Sequence, residues 1–312
     1  MDANIGGSWS VNKDGVGGVP SRHPELRGTV MASTGQKIAT GCGIGCLLLV
    51  LVVGGVGTCS YLGIKKVVDE AESIDVVYDD LTTRFGPPGE YTPAADGRIG
   101  TVQMELFLSV RDTLLARGAE AERILATLDG AEGRPTGPIA KIRAGMDFIP
   151  AMIRFVAAHS GTLMDQGMGL GEYAYLYTLS YYVLLDRDPG AGPDFELEGD
   201  PGEAEGQVRW EFDTEGGTPQ QDRARTNREA VNRLMRRILT NQRDAAELAG
   251  EDPDWIAALD REITSLEIDP ERLPWQDGLP DRLATSLAPY RSRLEATWSP
   301  YLNALELDAL RR

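Results

Sequence analysis

From Ile38 to Ile64 the chain carries no charged side chain for 27 positions, and no other feature constrains the fold so strongly. The centre of this run, Leu47 to Val53, is unbroken aliphatic sequence, with Lys37 before the run and Lys65 and Lys66 after it. A helix crosses the hydrocarbon core of a bilayer with about 20 mostly apolar residues, so the run is long enough to span. A cleaved leader would put its charges near the first residues and end a shorter apolar stretch in small residues. Here 37 residues come first, and Cys42 precedes the apolar core rather than following it, which argues against a lipidated cysteine. The expectation is a mainly α protein in three parts. These are a flexible N-terminal tail over 1–37, a single transmembrane helix over 38–64, and an all-helical extramembrane domain over 65–312 with a long acidic loop at 186–220.

Orientation follows from the flanks. The tail holds Lys13, Arg22, Arg27 and Lys37 against Asp2, Asp14 and Glu25, whereas Lys65 and Lys66 are followed at once by Asp69, Glu70 and Glu72. Lysine and arginine near the span nearly balance under the positive-inside rule. The short basic tail and the large body after the span predict an inner-membrane protein with a cytoplasmic N-terminus and a periplasmic main domain.

Charge narrows the partners. Residues 65–312 hold 27 basic and 45 acidic side chains, a net of −18, so the body's surface repels nucleic acid and anionic headgroups. The three cysteines, Cys42, Cys46 and Cys59, all lie in or beside the span. The body therefore has no disulfide, thiolate metal site or cysteine nucleophile of its own.

Within the body, Lys65 to Thr83 has helical spacing, with Val67, Val68, Ala71, Ile74, Val77 and Leu81 on a broad apolar side, and Phe85-Gly86-Pro87-Pro88-Gly89 stops it. A second helix opens at Thr101 as its cap, with Val102, Leu106, Val110 and Leu114 recurring every four residues. A third begins near Pro138, where Pro150 removes a backbone donor and predicts a bend. Gly171 to Leu185, rich in tyrosine, reads as a central buried helix whose hydroxyls reach polar partners.

Asp186 to Glu215 then holds eleven acidic residues against Arg187 and Arg209, with Gln207 to Phe212 its one strand-like fragment. It lacks the ordered oxygens and tight-turn glycine of a calcium loop and reads as a solvated excursion. Arg223 to Arg243 contains seven arginines opposed by Glu229 alone, with the acidic loop just upstream, which predicts neutralisation within the chain or across an interface. Further helices are expected around Trp255 to Leu266, Pro280 to Trp298 and Leu302 to Leu310.

Candidate chemistry is sparse. Of the two histidines, His23 sits in the tail and His159 reads as an unremarkable residue at the end of the third helix. No nucleophile elbow, phosphate loop or zinc-protease motif occurs, so no cofactor, metal or catalytic residue is predicted. Glu172, ahead of the tyrosines, is the best single carboxylate for a site, and burial there would raise its pKa. The plainer reading makes it a helix cap or an arginine partner. Within the span, Gly41 and Gly45, and Gly55 and Cys59, form small-x-x-x-small pairs that let another helix approach closely.

The stretches Thr101 to Arg111 and Gly169 to Tyr173 resemble bacterial envelope proteins of uncharacterised function. In layout the chain also resembles the accessory single-span subunits around bacterial photosynthetic reaction centres and antenna rings. That likeness implies a scaffolding subunit that contacts pigment proteins. Two functions follow. One is a non-enzymatic accessory subunit of a larger membrane complex, its span packed against other transmembrane proteins and lipid. The alternative is a membrane-anchored periplasmic enzyme or ligand-binding domain using carboxylates near Glu172.

Overall fold

The computed structural model describes residues 76–129, 138–192 and 218–311. The chain divides into two compact units, Met1–Thr58 and Cys59–Arg312, and all described residues belong to the second. The tail, the predicted span with Gly41, Gly45, Gly55 and Cys59, and residues 193–217 of the acidic loop lie outside the described residues. Among the described residues, no helix is long and apolar enough to cross a membrane.

The described body is mainly α, with no strand among its described residues. Residues 76–85 form α1, which ends where Gly86 adopts φ +80° and donates to the Thr82 carbonyl. A short 3₁₀ turn, Pro88–Glu90, leads into an extended strap over 91–100. Backbone outside regular structure still needs partners, and side chains supply them here. Gln242 donates to the Ala94 carbonyl, Trp255 Nε1 to Ala95 and Arg282 to Asp96, at 2.8–2.9 Å. Gly97 has φ +70°, and a Cβ there would stand 2.4 Å from the Trp255 ring, so glycine is required on both counts.

The helices α2 (Thr101–Asp129) and α3 (Pro138–Gln166) pair antiparallel. Glu120 meets Arg154 at 3.2 Å, and Leu125 and Leu128 share a cluster with Ala144 and Phe148. Thr101 is the first helical residue and not the cap. The cap position falls to Gly100, whose carbonyl accepts from Met104 N–H. Helical backbone continues through Pro150.

The predicted tyrosine-rich helix exists and is buried, but in two forms. Leu170–Tyr177 is α-helical (α4), and Thr178–Leu184 continues it as a π-helix. This single element anchors the main core, which also takes residues from α1, α2 and the C-terminal helices. Gly171 permits close approach to the strap, since a Cβ there would lie 2.4 Å from the Pro88 carbonyl oxygen.

The arginine-rich segment is α5 (Thr218–Ala249), which turns at Gly250 into α6 (Pro253–Ile268). Asp252 caps α6 by accepting from Asp254 N–H at 3.0 Å. The helix expected over Pro280 to Trp298 is instead three pieces, α7 (Asp281–Leu287), a 3₁₀ turn Ala288–Tyr290 and α8 (Arg291–Ala296). Pro289, lying inside that stretch, removes a donor and accounts for the break. The last helix, α9 (Pro300–Arg311), brings Leu302 and Leu305 into the cluster between α2 and α3.

Candidate functional site

The densest polar constellation in the body is internal, and it forms around Arg111 of α2. Arg111 is fully buried, and its guanidinium is used on nearly every side. Nε donates to the Tyr181 hydroxyl at 3.0 Å, Nη1 to the Tyr173 hydroxyl at 2.8 Å and to Glu306 Oε1, and Nη2 to the Thr297 carbonyl at 2.8 Å. The rings of Tyr177 and Tyr181 stand 5.2 and 5.1 Å from its Cζ, placing π-faces against the cation. Burial opposes the charge, but Glu306 and the tyrosines outweigh it and hold the guanidinium proton well above its ordinary value.

The local sequence explains the convergence. Tyr173, Tyr177 and Tyr181 recur every four residues and so share one side of their element. The π-helical turn adds Tyr182, five residues after Tyr177, to the same side. Both hydroxyls donate to Asn303 Oδ1, at 3.0 and 2.7 Å. Asn303 in turn donates to the carbonyls of Pro189 and Ala191, tying α9 to the chain just beyond the tyrosines. Burial pushes the phenols of Tyr173, Tyr177 and Tyr182 well up, so all stay protonated and act as neutral hydrogen-bonding groups.

His159 is not an unremarkable helix-end residue. It is 1% exposed, lies edge-on to Tyr173 with ring centroids 5.0 Å apart, and neither ring nitrogen has a hydrogen-bond partner among the described residues. Burial first and the nearby Arg111 charge second push its pKa down to about 3. The ring is therefore neutral at physiological pH. Glu306 Oε2 likewise has no hydrogen-bond partner among the described residues.

Glu172 sits apart from this centre, in the first turn of α4. Among the described residues it neither caps that helix nor pairs with an arginine. Its Oε1 accepts from Gln103 Nε2 at 2.8 Å, and the same amide nitrogen donates to the Tyr91 hydroxyl at 2.8 Å. Partial burial raises the Glu172 pKa, and the Gln103 hydrogen bond works against that rise. A second carboxyl with a raised pKa, the buried Glu262 on α6, accepts from Trp275 N–H at 2.7 Å and faces Arg272 at 3.7 Å. The two carboxyls share no hydrogen-bond partner. Among the described residues, no group of histidine, cysteine and carboxylate side chains could hold a metal ion.

The arginines of α5 are partly neutralised within the chain, as their sequence context predicts. Arg228 faces Asp188 at 3.8 Å, Arg225 meets Asp222 at 3.0 Å, and Arg243 reaches Asp244 and Asp260. Arg223 instead grips the carbonyls of Gly190 and Gly192, at 2.7 and 2.6 Å. Sequence reasoning missed Arg111, Glu306 and Asn303 as a set. The available signal was a charge on an apolar stripe, since Arg111 follows Phe107 by four residues and precedes Leu114 by three. No family model, curated protein or solved structure matches the chain.

Proposed function

We propose that this protein is a membrane-anchored, non-enzymatic accessory subunit whose helical body braces a larger membrane assembly. In this reading residues 38–64 form a single inner-membrane span, with the tail cytoplasmic and the body periplasmic. A photosynthetic reaction-centre or antenna complex is one such assembly. The observation that supports it best is the use made of Arg111. The most elaborate polar group of the body is turned wholly inward, and its donors are taken by Tyr173, Tyr181, Thr297 and Glu306. Such a centre stiffens a scaffold, and its guanidinium is fully buried rather than presented to a substrate.

The test compares co-purification of the native assembly in mild detergent for three variants. Gly41→Leu and Gly45→Leu obstruct close helix packing in the span and should release the partner. Glu172→Gln nearly keeps shape and should leave the assembly intact. Retention of the partner by both leucine variants would overturn the scaffold reading.

One observation favours the alternative of an enzyme or ligand-binding domain. Glu172 is a half-buried carboxyl with a raised pKa beside a phenol and an amide, a combination suited to donating a proton or a hydrogen bond. Loss of a measurable turnover or ligand affinity in Glu172→Gln, with the assembly unchanged, would select it.

A further inference from the structure

Among the described residues the two buried carboxyls each face a cation. Glu262 faces Arg272 at 3.7 Å, and Glu306 pairs with Arg111. Glu172 is half-buried, and burial disfavours its charge, yet no arginine, lysine or histidine among the described residues offsets that cost. It is a carboxylate in want of a counter-ion.

The surroundings of Glu172 are built by the strap and held firmly. A Cβ on Gly171 would stand 2.5 Å from Tyr91 Cβ, so the bare glycine lets Tyr91 lie against the start of α4. Asn241 of α5 donates to the carbonyls of Gly89 and Tyr91, at 3.0 and 3.1 Å, and fixes this part of the strap. The Tyr91 ring then packs on Tyr175, with centroids 5.9 Å apart. Gln103 joins the two polar groups, since its Nε2 donates to Glu172 Oε1 and to the Tyr91 hydroxyl, both at 2.8 Å. An amide nitrogen carries only two hydrogens, so Gln103 Nε2 has no donor left. What the site still offers is acceptors. Glu172 Oε2 accepts no hydrogen bond among the described residues, and a hydroxyl oxygen has a second lone pair beyond the one Gln103 takes. The carboxylate also acts on the phenol, which burial first and Glu172 second push up.

The acceptors select the ligand. Calcium takes about six to eight oxygens, and no group of carboxylates among the described residues supplies them. A primary ammonium needs few acceptors and brings its own N–H donors, and the Tyr91 ring gives its alkyl chain an apolar wall. The net charge of −18 on residues 65–312 concentrates cations at the body's surface.

We propose that Glu172 and Tyr91 bind a primary alkylammonium group, which donates to Glu172 Oε2 and to the Tyr91 oxygen. This rests on the second reading above, in which Glu172 serves a ligand, and it leaves the inward-turned Arg111 centre as the brace. The group belongs either to a free amine or to a lysine of a partner protein, and its chemistry at Glu172 is the same.

The experiment titrates the full-length protein in mild detergent with n-butylammonium, followed by ligand-observed NMR. Glu172→Gln should weaken binding about tenfold or more, and Tyr91→Phe by about threefold. Glu90→Gln removes an exposed carboxylate next to Tyr91 in sequence and should leave binding unchanged. Tetramethylammonium, which has no N–H, should bind about tenfold more weakly than butylammonium. In native membranes a carbodiimide should couple Glu172 to the amine held there, forming an amide while the carboxyl oxygen leaves in the urea by-product. The mass of the Glu172 peptide separates a free amine from a partner's lysine, and either product supports the site. An equal loss in Glu90→Gln, or none in Glu172→Gln, would show general attraction to an acidic surface and overturn the proposal. If butylammonium fails to bind while Glu172→Gln still removes a turnover, the ligand class is wrong and the carboxylate reading survives.

Discussion

Arg111 and Glu306 show how a single pair can organise a core. An ion pair removed from water is weak evidence of net stability, but breaking it by deleting one partner leaves an uncompensated buried charge. Arg111→Leu should therefore destabilise the protein by about 3–5 kcal/mol in chemical denaturation. The double change Arg111→Met with Glu306→Leu should recover much of that loss. His159 gives a second prediction, with a definite sign. Its folded pKa, about 3, lies below the ordinary value of 6.5, so the unfolded chain binds the proton first. The associated stability is complete above pH 6.5 and is lost as pH falls from there toward 3, at up to about 1.4 kcal/mol per unit. His159→Phe should flatten the stability profile in that window, and an unchanged slope would show that the ring titrates normally.

At the level of elements, periodicity carried most of the fold. The apolar spacing in α2, α3 and α5 and the stop at Gly86 are local signals, and each lies where the sequence put it. The π-helical turn was not legible, since local spacing says nothing of the distant Asn303 that receives both Tyr177 and Tyr182. The strap over 91–100 was also silent, since its carbonyls are satisfied by side chains some 150 residues or more away in sequence. For the same reason the Arg111 centre was invisible as a set. The strap allows a sharp prediction. Gly97→Ala places a Cβ within 2.4 Å of the Trp255 ring at positive φ, and should cost about 1–3 kcal/mol with Trp255 fluorescence perturbed. Gly145→Ala, where a Cβ meets nothing within 4 Å, is the matched control and should be neutral or stabilising.

For the whole molecule, the proposed topology predicts that protease added to intact spheroplasts digests the acidic body from outside. Protection until the membrane is lysed would reverse the orientation. The body's central pair also has a consequence in time. Arg111 and Glu306 are 195 residues apart, and at about 5–20 residues per second a ribosome needs roughly 10–40 s to deliver the second after the first. Throughout that interval α2 carries a cation meant for an interior that does not yet exist. The nascent body must therefore wait, hydrated and open, for its own α9 to arrive.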